Sequence, residues 1–325
     1  MAELRWNPLA KDWVMIASHR QARPQMPKGW CPFCTDSGKV PKDYEVYRYP
    51  NDFPALSKNP PEPDAVDTHE LFKVSPSYGI CEVLLYSPDH NASLSELGTN
   101  HVHKLSRMWR DVFCDFCADT GIKYVFIFEN RGEPVGVTMP HPHGQAYGYP
   151  FLPKRVEQRA YAAKEHMEQK GACLFCEMLK AEIDDGRRIV FRNEHFTVYV
   201  PFFSHVVYGT YVVSNRHMPD ISAMSQKELD SLGETVRAAA GMYDSLFDTR
   251  LPYMMCMHNA PVNTPGLTKP FHFHIEFIPP MRSGTVQQYF ASSESGAGAY
   301  CNPSRPEEKA LELKAAYQKY TGGKP

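Results

Sequence analysis

Val137-Thr138-Met139-Pro140-His141-Pro142-His143-Gly144-Gln145 follows an apolar run, Tyr124-Val125-Phe126-Ile127-Phe128, and a turn-forming Asn130-Arg131-Gly132-Glu133-Pro134. Histidines two apart on an extended chain share a face. Pro142 fixes its own φ and biases His141 towards extended geometry, so the pair is held in place. Gly144 would let a ligand approach the backbone, and Gln145 offers a neutral donor and acceptor. One imidazole to attack, one amide to hold a phosphate oxygen and one imidazole left for a structural task suit phosphoryl chemistry. Read locally, the same residues also fit a surface loop that carries two histidines.

The features around this stretch occur twice in the same order. In the first half Cys31-Pro32-Phe33-Cys34 precedes a strand over 44–49. A strand over 82–86 follows, closed by Ser87-Pro88-Asp89-His90, then a helix over about 95–119 and the strand leading to His141. In the second half Cys173-Leu174-Phe175-Cys176 precedes strands at 189–192, 196–200 and 209–213. His217, a helix carrying Leu229, Leu232, Val236, Ala240 and Tyr243, a strand at 253–256 and Phe271-His272-Phe273-His274 complete the series. This layout implies an internal duplication. The expected fold is α+β, with halves at 1–150 and 151–325, each a mostly antiparallel sheet with a packed helix.

The duplication sharpens the metal reading. Cys31, Cys34, His90 and His141 match Cys173, Cys176, His217 and His272. Two thiolates and two imidazoles suit zinc over magnesium or calcium, and four protein ligands would make each ion structural. A lone histidine is more often a satisfied polar residue than a ligand, but His90 and His217 recur at matching places after strands. Pro32 and the turn Thr35-Asp36-Ser37-Gly38 speak against a redox pair, which opens a helix after a strand. Cys114 and Cys117, on a helix with no histidine pair following, are expected to be packed thiols.

With 325 residues the chain can bury a large core and form two domains of ordinary size. A net charge of −2 argues against a nucleic-acid binder. No run is long and apolar enough for a membrane span, and the first residues lack an apolar signal segment. Nine cysteines, an odd number, fit reduced thiols. A cytoplasmic protein without nucleic-acid or membrane partners is expected. Residues 55–69, rich in Pro, Lys and Asp, read as a surface loop.

Phe128-Glu129-Asn130-Arg131-Gly132 followed by His141-Pro142-His143-Gly144-Gln145 resembles the active-site segment of galactose-1-phosphate uridylyltransferases, a branch of the histidine-triad superfamily. The resemblance runs from Asn7-Pro8-Leu9 to the region of Glu294. It implies a duplicated histidine-triad-like fold, zinc, and exchange of UMP between UDP-glucose and galactose 1-phosphate. With His141 on zinc, His143 would attack the α-phosphorus and release a sugar 1-phosphate. A second sugar 1-phosphate would then take the nucleotidyl group, giving ping-pong kinetics. Gln145 would steady a non-bridging oxygen, helped by Thr138 and the backbone at Gly136. Arg20 and Arg23, by charge alone a solvated pair, would approach the nucleotide phosphates. Asn51-Asp52-Phe53, otherwise a strand-ending turn, would hold the nucleoside. Asn130 would contact substrate, and Glu294, otherwise a solvated loop residue, would meet the hexose. Family dimers place this tail over the partner's site, so a homodimer is implied.

His272-Phe273-His274 lacks the proline and has Glu276 where the first half has Gln145, so one catalytic histidine per chain is expected. In some family members the second metal site is a glutamate with three later histidines. That glutamate's counterpart here is Arg159, with Glu157 nearby, whereas His258, His272 and His274 are all present. The paired knuckles and Gly296-Ala297-Gly298-Ala299-Tyr300-Cys301-Asn302-Pro303 also resemble a plant-type branch that uses ADP-glucose and inorganic phosphate. A histidine-triad hydrolase and a zinc-stapled interaction module without catalysis are the readings from other classes.

Overall fold

The computed structural model describes residues 2–22, 29–64 and 69–323, so Arg23 lies outside the described residues. The first half runs β1 (Ala2–Asn7), β2 (Asp12–Ala17), β3 (Tyr47–Pro50), β4 (Val74–Pro76), β5 (Ile80–Leu85), α1 (Thr99–Cys117), β6 (Tyr124–Arg131) and β7 (His143–Tyr149). The second runs α2 (Lys154–Lys170), α3 (Leu174–Asp185), β8 (Ile189–Arg192), β9 (Phe196–Tyr199), β10 (Thr210–Ser214), α4 (Gln226–Leu246), β11 (Tyr253–His258), β12 (His274–Ile278) and α5 (Pro306–Tyr320).

Nine strands form one sheet in the order β3-β5-β7-β6-β11-β12-β10-β9-β8, and β2-β1-β4 form a small separate sheet. Every described pairing between strands of the large sheet is antiparallel. The order is palindromic about the β6–β11 pair: β5, β7, β6 and α1 correspond to β10, β12, β11 and α4. Register agrees residue for residue. Val83 faces Gln145 as Tyr211 faces Glu276, and Leu85 faces His143 as Val213 faces His274. The expected duplication is present, and its halves share one sheet.

Alternation gives the two faces of that sheet different work. Val125 and Ile127 of β6, Met255 and Met257 of β11, and Ile275 and Phe277 of β12 join a core with Trp109 and Val112 of α1 and Leu232, Val236 and Tyr243 of α4. Each large side chain so enclosed contributes roughly 2–3 kcal/mol. Helix α4 opens on a capping box between Ser225 and Glu228. It crosses α1 at Gly233, where any Cβ would collide with the Val102 carbonyl. The opposite face carries Phe126, Phe128, His143, Gln145, Tyr147, His258, His274 and Glu276.

Several expectations shift in detail. Strand β3 starts at Tyr47 because Tyr44 turns inward, its hydroxyl 2.8 Å from the Phe33 carbonyl and 2.9 Å from that of Ser87. The 55–69 segment is not wholly a surface loop, since Leu56 is buried against Leu4, Cys81 and Tyr147. Cys117 packs half-buried against the core as expected, whereas Cys114 is exposed, α1 turning Val112, Phe113 and Phe116 inward. No helix among the described residues is long and apolar enough to cross a membrane.

Candidate active site and metal centres

Cys31 and Cys34 precede β3, His90 follows β5 and His141 precedes β7, yet their ligand atoms lie within 4.8 Å of one another. His141 Nδ1 is 3.7 Å from both sulphurs, and His90 Nδ1 is 3.3 Å from Cys34 Sγ. In the second half His272 Nδ1 is 3.5 Å from the sulphurs of Cys173 and Cys176, and His217 Nδ1 is 3.9 Å from Cys176 Sγ. The rings repeat too: His90 and His141 are 5.4 Å apart at 81°, His217 and His272 5.4 Å apart at 83°. A tetrahedral ion with bonds of roughly 2.3 Å to sulphur and 2.0 Å to nitrogen separates the two atoms by about 3.5 Å. Both clusters fit an ion of that size.

The far nitrogens are anchored. Nε2–H donates to the Ser87 carbonyl from His141 at 2.7 Å, to Ser214 from His272 at 2.9 Å, and to Lys269 from His217 at 3.1 Å. Each Nδ1 lone pair is thereby turned to the sulphurs. Burial holds His141 and His272 neutral, down at about 4. Burial and the neighbouring thiol push Cys34 up to about 11 and Cys176 up to about 12, so thiolates at these places need a cation between them. The second knuckle opens α3, as a redox pair would, but its facing imidazoles fit a metal instead.

Strand β7 begins at His143, leaving His141 in the bend before it. His143 Nδ1–H donates to the His141 carbonyl at 2.7 Å, which puts the lone pair on Nε2. Phe33, inside the first knuckle, lies against both rings, 5.9 Å from His141 and 5.5 Å from His143. A cavity of about 240 Å³ brings together His143, Gln145, Thr138, Asn51, Asp52 and Phe53. Asp52 is held by Lys39 Nζ and the Tyr49 hydroxyl, both at 3.0 Å, and Asn51 Oδ1 accepts from the Phe53 N–H at 2.9 Å. Arg20 donates to the Phe53 carbonyl and the Tyr147 hydroxyl, both at 3.2 Å.

Other expected residues lie around this cavity rather than in it. Asn130 lines a second cavity, of about 190 Å³, across the His141–His143 segment. Gly136 turns the exposed loop between at φ +80°. Glu294 lies outside both, half-buried in a short turn where it accepts the Ala291 N–H at 3.0 Å. The Gly144 reading is corrected: the space its missing Cβ leaves is filled by the Tyr86 hydroxyl, so it serves packing and not ligand approach.

In the second half the pocket between Tyr211 and Glu276 holds only about 10 Å³, while Glu276 also lines a separate cavity of about 200 Å³ with Tyr124, Arg159 and His258. Tyr211 replaces Val83, Phe203 packs on Tyr211, and Phe175 stacks on His274 at 4.3 Å. His274 Nδ1–H donates to the His272 carbonyl at 2.9 Å, as His143 does to His141, but its Nε2 lies 3.5 Å from Arg159. Arg159 also donates to His258 Nε2 at 3.1 Å and pairs with Glu276 at 2.8 Å. A guanidinium only donates, so both imidazoles accept, and burial keeps both below their usual range. The alternative histidine-rich metal site is thus divided. His272 faces the thiols, and a side-chain cation stands between His258, His274 and Glu276.

Glu129 lines the second cavity while nearly buried, its Oε1 accepting from the Tyr253 hydroxyl at 3.2 Å. Burial pushes this carboxyl up to about 7, although Arg131 and Tyr253 pull the other way. A carboxyl raised on folding gives stability that is full below its unfolded value of roughly 4.3 and lost as pH rises through the folded value. Glu129→Gln should therefore gain on the parent by about 2 kcal/mol between about pH 5 and about pH 7.5 in urea titrations. Parallel pH profiles for the two proteins would refute this.

The signature described as galactose-1-phosphate uridyl transferase, N-terminal domain, matches residues 31–153, and its C-terminal counterpart matches 155–294. The chain belongs to the galactose-1-phosphate uridylyltransferase family. A galactose-1-phosphate uridylyltransferase of Thermotoga maritima is 39% identical over 315 residues, covering 97% of this chain and 98% of its own. A solved uridylyltransferase structure superposes with a TM-score of 0.90 at 29% identity, covering 98% of this chain and 99% of that one. An ADP-glucose phosphorylase from Arabidopsis thaliana has a TM-score of 0.75 at 22% identity, covering 97% and 99%, a likeness of fold.

Sequence reasoning does not single out Phe33, Tyr44 or Tyr147 in this family member. Phe33 had a signal, because the third residue of both knuckles is phenylalanine. Tyr44, 3.1 Å from His141 Nε2, and Tyr147 had none.

Proposed function

We propose that this family member exchanges UMP between UDP-glucose and galactose 1-phosphate, with His143 as nucleophile. The observation that carries this reading is the bond from His143 Nδ1–H to the His141 carbonyl, which fixes the tautomer needed for attack through Nε2. In the first step Nε2 bonds to the α-phosphorus. The bond from that phosphorus to the bridging oxygen breaks, its electron pair leaving on glucose 1-phosphate. Positive charge grows on the ring, and the Nδ1–H bond to the carbonyl strengthens with it. In the second step a phosphate oxygen of galactose 1-phosphate, already anionic, attacks the same phosphorus. The P–N bond breaks, the ring returns to neutral, and UDP-galactose leaves.

Gln145 donates to a non-bridging oxygen, with Thr138, Asn130 and the backbone at Gly136 around the phosphates. Asn51, Asp52 and Phe53 hold the nucleoside, and Arg20 and Arg23 serve the phosphates. Glu294, outside the cavity of its own chain, would reach the hexose across a homodimer. Zinc held by Cys31, Cys34, His90 and His141, and by Cys173, Cys176, His217 and His272, would supply rigidity, since four protein ligands close its coordination. We read the halves as 1–150 and 151–325, and the setting as cytoplasmic. The test is product formation from UDP-glucose with galactose 1-phosphate, beside ADP-glucose with phosphate. Turnover of the first pair alone is expected. Turnover of the second alone would move the protein to adenylyl transfer, and UMP release to water would make it a hydrolase.

A further inference from the structure

We propose that Tyr147 is a positioning residue for this transfer, deciding which end of the Gln145 amide faces the phosphate. The inference rests on the function proposed above. Tyr147 stands two residues beyond Gln145 on β7, so both side chains leave the same face. Arg20 Nη1 lies 3.2 Å from the Tyr147 hydroxyl, which lies 3.3 Å from Gln145 Oε1. An arginine can only donate, so the phenol oxygen accepts and its own hydrogen passes on to the carbonyl end of the amide. The NH₂ end is left for the cavity. Phosphate oxygens are acceptors, so the reverse orientation would set lone pair against lone pair.

Nothing intrinsic to glutamine prevents that reversal, because its last torsion is broad and two-fold. The Tyr147 ring is itself held, nearly buried and edge-on to Phe128 at 5.2 Å and 76°. The second half gives the contrast. There Glu276 and Ile278 stand at the places of Gln145 and Tyr147, so the second copy has neither amide nor hydroxyl.

Tyr147→Phe keeps the ring and removes only the hydroxyl. We expect kcat with UDP-glucose and galactose 1-phosphate to fall about 10-fold or more, with KM for UDP-glucose within about twofold. The double variant with Gln145→Ala should be no slower than Gln145→Ala alone, because the hydroxyl acts through the amide. A rise in KM with kcat unchanged, or additive losses, would overturn the proposal and make Tyr147 a brace for Arg20 and the Phe53 wall. A second readout does not depend on the reaction. The Gln145 side-chain amide signals, identified by their loss in Gln145→Ala, should exchange faster with solvent and shift in ligand-free Tyr147→Phe. Unchanged signals would overturn the relay, whereas an inactive parent with shifted signals would overturn the function and leave the relay standing.

Discussion

His143→Ala should lower turnover of UDP-glucose with galactose 1-phosphate by at least about four orders of magnitude, the scale on which removing a covalent nucleophile acts. Nothing nearby can substitute. His141 is buried with its Nδ1 committed to the thiols and its Nε2 to Ser87. His274 is fully buried, stacked under Phe175, with Nε2 facing Arg159. Parent protein incubated with UDP-glucose labelled at the α-phosphate should retain one label per chain, and the variant none. Label retained by His143→Ala would refute the assignment of the nucleophile.

Loss of the first metal should be the other large effect. Cys34→Ser, or exhaustive chelation, should lower the melting temperature on the order of 10 °C, because the unfolded chain has no assembled site and metal binding energy therefore adds to folding energy. Turnover should fall as well, since His141 lends its carbonyl to His143 Nδ1 and Phe33 sits between the two thiols of the knuckle. Cys176→Ser should cost comparable stability but less turnover, because the histidine of its cluster, His272, lends its carbonyl to His274 and not to His143. Metal content and scanning calorimetry on the three proteins decide this. Full metal content in Cys34→Ser, or an unchanged melting temperature after metal is lost, would contradict it.

Much of this was legible in the chain because the duplication spells each cluster twice. Cys-x-x-Cys, a histidine after a strand and His-x-His recur in order, and matching positions carry more information than any lone residue. Strand and helix types followed from period two and period 3.6, as in β6 and α4. What stayed hidden depends on distances across the sheet. Tyr147 meets Arg20 and Tyr44 meets His141 only once remote segments converge, and no local pattern announces either contact. Gly144 misled because a small residue beside a histidine suggests room for substrate, whereas strand parity turns it to the helices and Tyr86. Arg159 was visible as a departure, but its bonds to two imidazoles and a carboxylate needed the fold.

The β6–β11 seam has a consequence for how such a protein must be made. Separated, each half would present a long strand with a full row of unsatisfied amide and carbonyl groups, a surface that pairs with any other strand it meets. Joined through α2, the correct partner is always tethered nearby, at an effective concentration that no free competitor reaches. Fusion of the two copies therefore acts as protection against aggregation.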